Sequence, residues 1–322
     1  MLKPWTPDLS SGVASTRFTG APESDSAHPL SMQNSLTNLS DELAGIVERT
    51  GAPVVAVYGD GRMPASGVHW KPGLIVTTEH SLRRDDEIRV GLAGGNTISA
   101  QLAGRDPGTD LAVLKIDPNA LPVLADARAA SPRTGEIVMT VGRHRDIGVC
   151  AAMGIVSVVG PAYQTWRGGK LDAFLRLDLE LYPGCSGSVV VGARGAALGI
   201  ATSLHSRFAP VAIPAQTVDR VAAELATRGY VARGYLGVGM QPVSLPDGGG
   251  LIVVSVEKDS PAAEAGLVIG DILIALDGKP VRDTREAQTF LSGENIGRTV
   301  AVSILRGGER KEIKLKVGEK AR

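Results

Sequence analysis

Ser186 lies in the stretch Glu180 to Val191, ELYPGCSGSVVV, where a Pro-Gly-Cys-Ser-Gly run stands directly before a row of valines. The valines read as a buried strand, and the run before them reads as a tight turn that holds one hydroxyl in place. A serine hydroxyl becomes a nucleophile beside an imidazole that takes its proton and a carboxylate that orients the imidazole. Of the five histidines, His28 falls in a polar N-terminal stretch, and His69, His144 and His205 fall in polar or mixed loops. His80 differs, because it directly follows the apolar run in GLIVTTEHSL. For the carboxylate, Asp110 in RDPGTDLAVLKID opens an apolar strand, where an acid has no packing reason to stand. The chain order His80, Asp110, Ser186 is one of the known solutions to the triad. Singly, each residue has an ordinary reading as a turn, a surface histidine or a strand start; jointly they predict acyl transfer through a serine nucleophile.

The flanking glycines fit the same chemistry. A nucleophile loop must turn backbone N–H groups toward the place where the oxyanion forms, and glycine permits that turn without a Cβ clash. The expected donors are the amides of Gly184 and Ser186. Cys185 is a rival nucleophile, but that register asks Pro183 for the first oxyanion amide, and proline has none. Before the turn, in FLRLDLELY, Leu175, Leu177, Leu179 and Leu181 alternate with Arg176, Asp178 and Glu180. One face is therefore apolar and the other charged. Leu181, just before the nucleophile loop, is expected to line the S1 pocket and favour small aliphatic side chains. Glu180 offers the competing expectation of basic P1 recognition, which strand alternation disfavours by aiming it to the side of Asp178.

Many short strands must position these residues. Apolar runs separated by Gly, Pro, Asn and Asp recur from PVVAVYG to FAPVAIP, about ten strands at the spacing of a barrel or sandwich. Two six-stranded barrels fit Pro53 to Pro214. Ahead of them LTNLSDELAGIVE, Leu36 to Glu48, has apolar positions at helical spacing, with Ser40 and Asp41 available as a cap. After them PAQTVDRVAAELATRGY places Val218, Val221, Ala222 and Leu225 on one helical face, with Gly229 as the stop. A second unit mixing strands and short helices follows, from a boundary near residues 230 to 234. Residues 1–35, rich in Ser, Pro, Thr and Gly without hydrophobic period, read as a flexible tail.

The bulk composition narrows the partners. Lys plus Arg is 34 and Asp plus Glu is 34, so no basic excess favours nucleic acid. The two cysteines, Cys150 and Cys185, give no metal-ligand spacing and no disulfide framework. Without an HExxH motif, a Cys-His cluster or a phosphate-binding loop, no metal or organic cofactor is expected. No run approaches the roughly 18 apolar residues of a membrane span, and the first 35 residues lack an apolar signal core. The chain as given is therefore expected to be cytoplasmic, or to belong to the cell envelope if a leader is missing.

Taken in order, ASGVHWKPGLIVTTEHSL, RDPGTDLAVLKID, MGIVSVVG, LDLELYPGCSGS, ALGIATS and VAIPAQ resemble the HtrA/Deg serine proteases. The later RGYLGV and SPAAEAGLVIGDILIALDGKPV resemble the PDZ domain of that family. The resemblance implies a mostly β protein, a chymotrypsin-like double six-stranded β-barrel over residues 36–230, then a small α+β PDZ domain over residues 231–319. It implies His80 as base, Asp110 as its orienting partner and Ser186 as nucleophile, the same residues the chemistry selects. The carboxylate-binding loop of the PDZ domain falls on Tyr235, Leu236, Gly237 and Val238, with a helix near Arg285 to Leu291 as the other wall. Its nucleophile loop departs from the family's Gly-Asn-Ser-Gly-Gly at Cys185 and Ser188, and Tyr182 replaces a small polar residue. The function implied is ATP-independent serine endopeptidase action on unfolded or misfolded proteins, by a homotrimer or a multiple of one, with peptide C-termini bound at the PDZ domain. The alternatives are a catalytically weak chaperone or peptide-binding scaffold, and a regulatory protease with one dedicated target.

Overall fold

The first helix, α1 (Pro29–Gly51), starts earlier than the spacing predicts. Pro29 suits a first helical position, where its missing N–H is no loss, so Ser40 and Asp41 fall inside the helix rather than capping it. The computed structural model describes residues 29–59, 64–125, 131–206, 209–246, 248–291 and 293–319. The expected tail over residues 1–35 thus lies outside the described residues as far as residue 28. The described residues from Ala44 on form one compact unit, and the described residues up to Leu43, all in α1, belong to another.

Seven strands follow α1: β1 (Val54–Tyr58), β2 (Ala65–Lys71), β3 (Leu74–Thr78), β4 (Arg89–Gly91), β5 (Thr97–Ser99), β6 (Gln101–Asp106) and β7 (Leu111–Lys115). Their order in the sheet is β5-β4-β1-β2-β3-β7-β6. The two ends of that order, β5 and β6, are separated in sequence by Ala100 alone, whose amide donates to Ile88 O at 2.9 Å. One bent strand therefore pairs at both ends and wraps the sheet, giving the expected six-stranded barrel a seventh segment. Val55, Val57, Ile75, Val90, Ala112 and Leu114 fill its centre, the alternate side chains that a pleated strand turns inward.

The second barrel is closed, in the order β12-β15-β14-β13-β8-β9. Its strands are β8 (Ile137–His144), β9 (Gly148–Gly160), β12 (Phe174–Asp178), β13 (Val189–Gly192), β14 (Ala197–Thr202) and β15 (Val211–Pro214), and a short pair, β10 (Tyr163–Gln164) and β11 (Lys170–Leu171), interrupts them. Val138, Val156, Leu175, Leu177, Val190, Ala201 and Ala212 make its core. Helix α2 (Ala215–Arg228) packs its buried Val218, Val221, Ala222 and Leu225 on the barrel strands β6, β7 and β14. Gly229 ends the helix in the left-handed region, its amide bonded to Leu225 O.

The remaining strands are β16 (Gly234–Tyr235), β17 (Val238–Leu245), β18 (Gly248–Val256), β19 (Ile272–Leu276), β20 (Lys279–Pro280), β21 (Thr299–Arg306), β22 (Glu309–Lys316) and β23 (Gly318–Glu319). They alternate with the short helices α3 (Pro261–Glu264) and α4 (Thr284–Phe290). The main sheet runs β17-β18-β19-β21-β22, and the β16–β23 pair draws the two ends of this unit together. Its core is separate, built on Leu251, Leu273, Leu276, Val302, Ile304 and Leu315. Among the described residues no helix is long and apolar enough to cross a membrane.

Candidate active site

Antiparallel pairing of β3 with β7 sets Thr78 opposite Leu111. The residues just past β3 and just before β7 are therefore neighbours, and these are His80, in a short 3-10 turn (Glu79–Ser81), and Asp110. The His80 amide donates to Asp110 Oδ1 at 3.0 Å, and His80 Nδ1 lies 2.9 Å from both carboxylate oxygens. Thr202 at the end of β14 donates its hydroxyl to Asp110 Oδ2 at 2.5 Å. Asp110 is fully buried, and a buried carboxylate is tolerable only when several donors surround it. Its φ is +60°, a region asparagine and aspartate enter more readily than other side chains.

The Ser186 loop joins the second barrel to the first. Gly184 and Gly187 have φ of +86° and +90°, and a Cβ on Gly187 would stand 2.0 Å from Ser66 O. The Ser66 amide donates to Ser186 O at 2.9 Å, and its hydroxyl donates to Gly184 O at 3.3 Å. Ser66 belongs to β2, so a strand of one barrel holds the loop of the other. Among the described residues the amides of Gly184 and Ser186 have no hydrogen-bond partner, leaving both able to receive an oxygen. Ser186, Gly184, Leu181, Tyr182, His80 and Ser203 line one cleft. Within it the Ser186 hydroxyl pairs with Ser203 Oγ at 3.3 Å, and no hydrogen bond joins it to His80.

Opposing effects act on the imidazole. Burial pushes the His80 pKa down, but the hydrogen bond to Asp110, the Asp110 charge and the Glu79 charge outweigh it, against a smaller lowering by Arg167. The net pKa is above the ordinary 6.5. Glu79 is itself held by Arg105 at 3.4 Å and Arg167 at 3.7 Å. The arrangement can hold an imidazole in one tautomer, with Nδ1–H toward Asp110 and the other nitrogen free for a proton.

The residues that depart from the family motif are seated rather than crowded. Ser188 is fully buried and donates its hydroxyl to Cys185 O at 2.6 Å. Its side chain occupies room left by Gly142, where a Cβ would stand 2.3 Å from Ser188 Oγ. Leu181 lines the cleft and Glu180 is an exposed residue outside that lining. The alternation expected before the loop is present, with Leu175 and Leu177 buried and Arg176 and Asp178 exposed. Sequence reasoning missed Ser66, Thr202 and Ser203. For the first the only available signal was a serine beside a glycine at the start of β2, and for the other two the position at the end of β14.

In the C-terminal unit Tyr235, Leu236, Gly237 and Val238 line a groove with Ala287, Gln288 and Leu291 on its far wall. Helix α4 thus stands where the second wall was expected. Gly237 has φ of +77°, and its carbonyl accepts from the Glu257 amide at 2.8 Å. The Tyr235 hydroxyl donates to Glu257 Oε2 at 2.5 Å.

Residues 65–200 match the trypsin-like peptidase domain and residues 234–317 match the PDZ domain. The chain is 32% identical over 259 residues to a probable periplasmic serine endoprotease DegP-like of Pseudomonas fluorescens, covering 76% of this chain and 54% of that protein. To the serine endoprotease DegS of Haemophilus influenzae it is 30% identical over 256 residues, covering 77% and 75%. Among solved structures, the HtrA-type protease AlgW with decapeptide superposes with a TM-score of 0.73 at 28% identity, over 87% of this chain and 99% of that one. A serine endoprotease from Yersinia pestis superposes with a TM-score of 0.71 at 30% identity, over 86% and 98%. The chain spans about half the length of the DegP-like relatives it matches. Those relatives are named periplasmic, and this overturns the cytoplasmic expectation. That expectation rested on the composition of the N-terminal stretch and on nothing the folded residues contribute.

Proposed function

This chain belongs to the HtrA/Deg family of serine endoproteases, and on that premise we propose that it cleaves unfolded polypeptides without ATP, through Ser186, His80 and Asp110. Ser186 attacks the scissile carbonyl, His80 takes its proton and returns it to the leaving amine, and Asp110 fixes the tautomer. The Gly184 and Ser186 amides stabilise the oxyanion. The contact of His80 Nδ1 with both oxygens of the buried Asp110, on the cleft that Ser186 lines, carries this reading. Leu181 on that cleft, with Glu180 off it, supports a preference for small aliphatic P1 side chains. The protease unit occupies residues 36–230, and the PDZ unit, residues 231–319, binds peptide C-termini with Tyr235 to Val238.

The Ser186 hydroxyl's bond to Ser203 favours a second reading, in which the site rests unassembled and peptide at the PDZ groove promotes assembly. Such a device suits a regulatory protease with one target as well as general clearance of unfolded chains. The test is hydrolysis of unfolded β-casein by the protein and by Ser186→Ala, with a fluorophosphonate to tag the serine, each with and without a hydrophobic C-terminal peptide. Digestion and tagging should both vanish in the variant. Absence of both from the unsubstituted protein, even with peptide, would leave a peptide-binding scaffold. Cleavage after Lys or Arg would refute the aliphatic preference, and cleavage of one protein among many offered would favour the regulatory reading.

A further inference from the structure

The chain holds two cysteines, and folding brings them together from unlike elements. Cys150 lies near the start of β9, paired with Gly142 of β8. Cys185 lies in the nucleophile loop, between Gly184 and Ser186, which line the cleft and whose amides have no partner among the described residues. The sulfurs are 3.0 Å apart, and a disulfide needs about 2.05 Å, so the bond closes with a movement of about 1 Å. The backbone around Cys185 is already held: its amide donates to Tyr182 O at 2.9 Å, and its carbonyl accepts from the Ser188 amide at 3.1 Å and hydroxyl at 2.6 Å. No rival pairing exists within the chain. Cys185 is buried and Cys150 half-buried, so an oxidant meets Cys150 first.

We propose that Cys150 and Cys185 form a disulfide that ties the nucleophile loop to β9, and that this oxidised form is the one with the more firmly assembled site. The bond would replace a thiol contact with a covalent anchor one residue from Ser186, restricting the motion of the Gly184 and Ser186 amides. Misplacement of a reacting group by about 1 Å can cost two orders of magnitude in rate, so restriction at this point has a large lever. The chemistry is ordinary exchange. Cys150 thiolate attacks one sulfur of a disulfide oxidant, forming a mixed disulfide and expelling a thiolate. Cys185 gives its proton to that leaving sulfur and attacks Cys150 Sγ, expelling the second thiolate, which takes the proton lost by Cys150. Two thiols are oxidised by two electrons and the oxidant's disulfide is reduced to two thiols. The Cys150 thiol is suited to the first step. The hydrogen bond from Cys185 lowers its pKa to about 7 against the opposing effect of burial, while the same bond and burial push Cys185 up. An oxidising compartment, such as the one named for the DegP-like relatives, would keep the bond closed.

The claim about the bond stands on the geometry; the claim about the site rests on the proposed protease function. The test uses the full chain, incubated with oxidised glutathione or with dithiothreitol. Intact mass and alkylation count the thiols, and the rate of fluorophosphonate tagging reads the state of Ser186. The oxidised chain should lose two hydrogens, resist alkylation and tag about tenfold faster than the reduced chain. Dithiothreitol should reverse all three, and Cys150→Ser should tag at one rate under both conditions. Two thiols still open to alkylation in the folded chain after glutathione would overturn the bond. A cross-linked chain that tags no faster than the reduced one would overturn the anchoring. Should the variant fold poorly, the oxidised and reduced forms of the unsubstituted protein decide the matter alone. A cross-link with no tagging in either state would count against the protease function while leaving the bond in place.

Discussion

At His80 the proton affinity is set by burial against two carboxylates, and only Glu79 of the two can be neutralised without breaking the Asp110 hydrogen bonds. A general base must be neutral to act, so kcat/KM should fall as pH drops through a pKa above 6.5. Glu79→Gln removes a charge that raises that pKa, so the acid limb should move to lower pH while the alkaline plateau keeps its height. An unchanged limb would show that Arg105 and Arg167 already neutralise Glu79. Stability tilts the other way. A histidine raised on folding contributes stability that is complete below its unfolded pKa and is lost as pH rises through the folded value. With its side chain 29% exposed, solvent screening keeps that contribution small. His80, Asp110 and Ser186 were legible because each interrupts an apolar run at a strand boundary. Thr202 and Ser203 were not, since a threonine and a serine ending a strand are ordinary, and only the meeting of β14 with Asp110 gives Thr202 its task.

Between β8 and β9 the sequence shows less than the fold contains. GIVSVVG was legible as a strand, but β9 reaches back to Gly148 through Val149, Cys150, Ala151 and Ala152, of which only Val149 favours a strand, and the pairing with β8 makes this stretch extended. That extension places Cys150 beside the nucleophile loop, so the missed half of β9 also hid the proximity of the two cysteines. Barrel count was legible from strand spacing. The bend at Ala100, which closes the first barrel with one strand, was not, because only tertiary pairing distinguishes it from a single straight strand. Gly142 is the position where this element is most sensitive. A Cβ there would stand 2.3 Å from Ser188 Oγ and 2.7 Å from Ser66 Oγ, and overpacking of this kind costs about 1–3 kcal/mol. Gly142→Ala should therefore lower the urea midpoint. Ser188→Gly in the same chain should restore part of the loss, because one of the two clashes disappears with the hydroxyl. Strictly additive losses in the double variant would mean that Ser188 and Gly142 do not share this space.

Across the whole molecule two surfaces remain to be explained by more than one barrel. The outer face of the β8–β9 hairpin carries Ile137, Val149, Met153 and Ile155, with Met153 59% and the turn residue Ile147 78% exposed. Exposed apolar faces of this kind mark protein contacts, and this one offers a seat for the homotrimer that the family resemblance implies. Met153→Glu should shift the mass measured by light scattering toward the monomer while the circular dichroism stays unchanged; an unaltered mass would place the contact elsewhere. The second surface lies between the protease strands and the PDZ unit. Arg233, just ahead of β16, pairs with the buried Asp106 and donates to Arg167 O at 3.3 Å. Arg167 lies 3.7 Å from Glu79, the neighbour of His80. A chain of contacts, passing through the backbone carbonyl and then the guanidinium of Arg167, thus runs from the start of the PDZ unit to the neighbour of the imidazole. Asp106 keeps the amides of Gly108 and Thr109 and the Thr109 hydroxyl without Arg233, so Arg233→Ala should fold. If peptide binding acts on the site through this route, a coupling of about 1–3 kcal/mol is available to lose. The ratio of peptide-stimulated to basal casein hydrolysis should then fall toward one in Arg233→Ala, with peptide affinity measured on the same protein nearly unchanged. A ratio equal to that of the unsubstituted chain would mean the PDZ unit influences Ser186 by another path, and loss of peptide binding itself would mean Arg233 supports the groove rather than the connection.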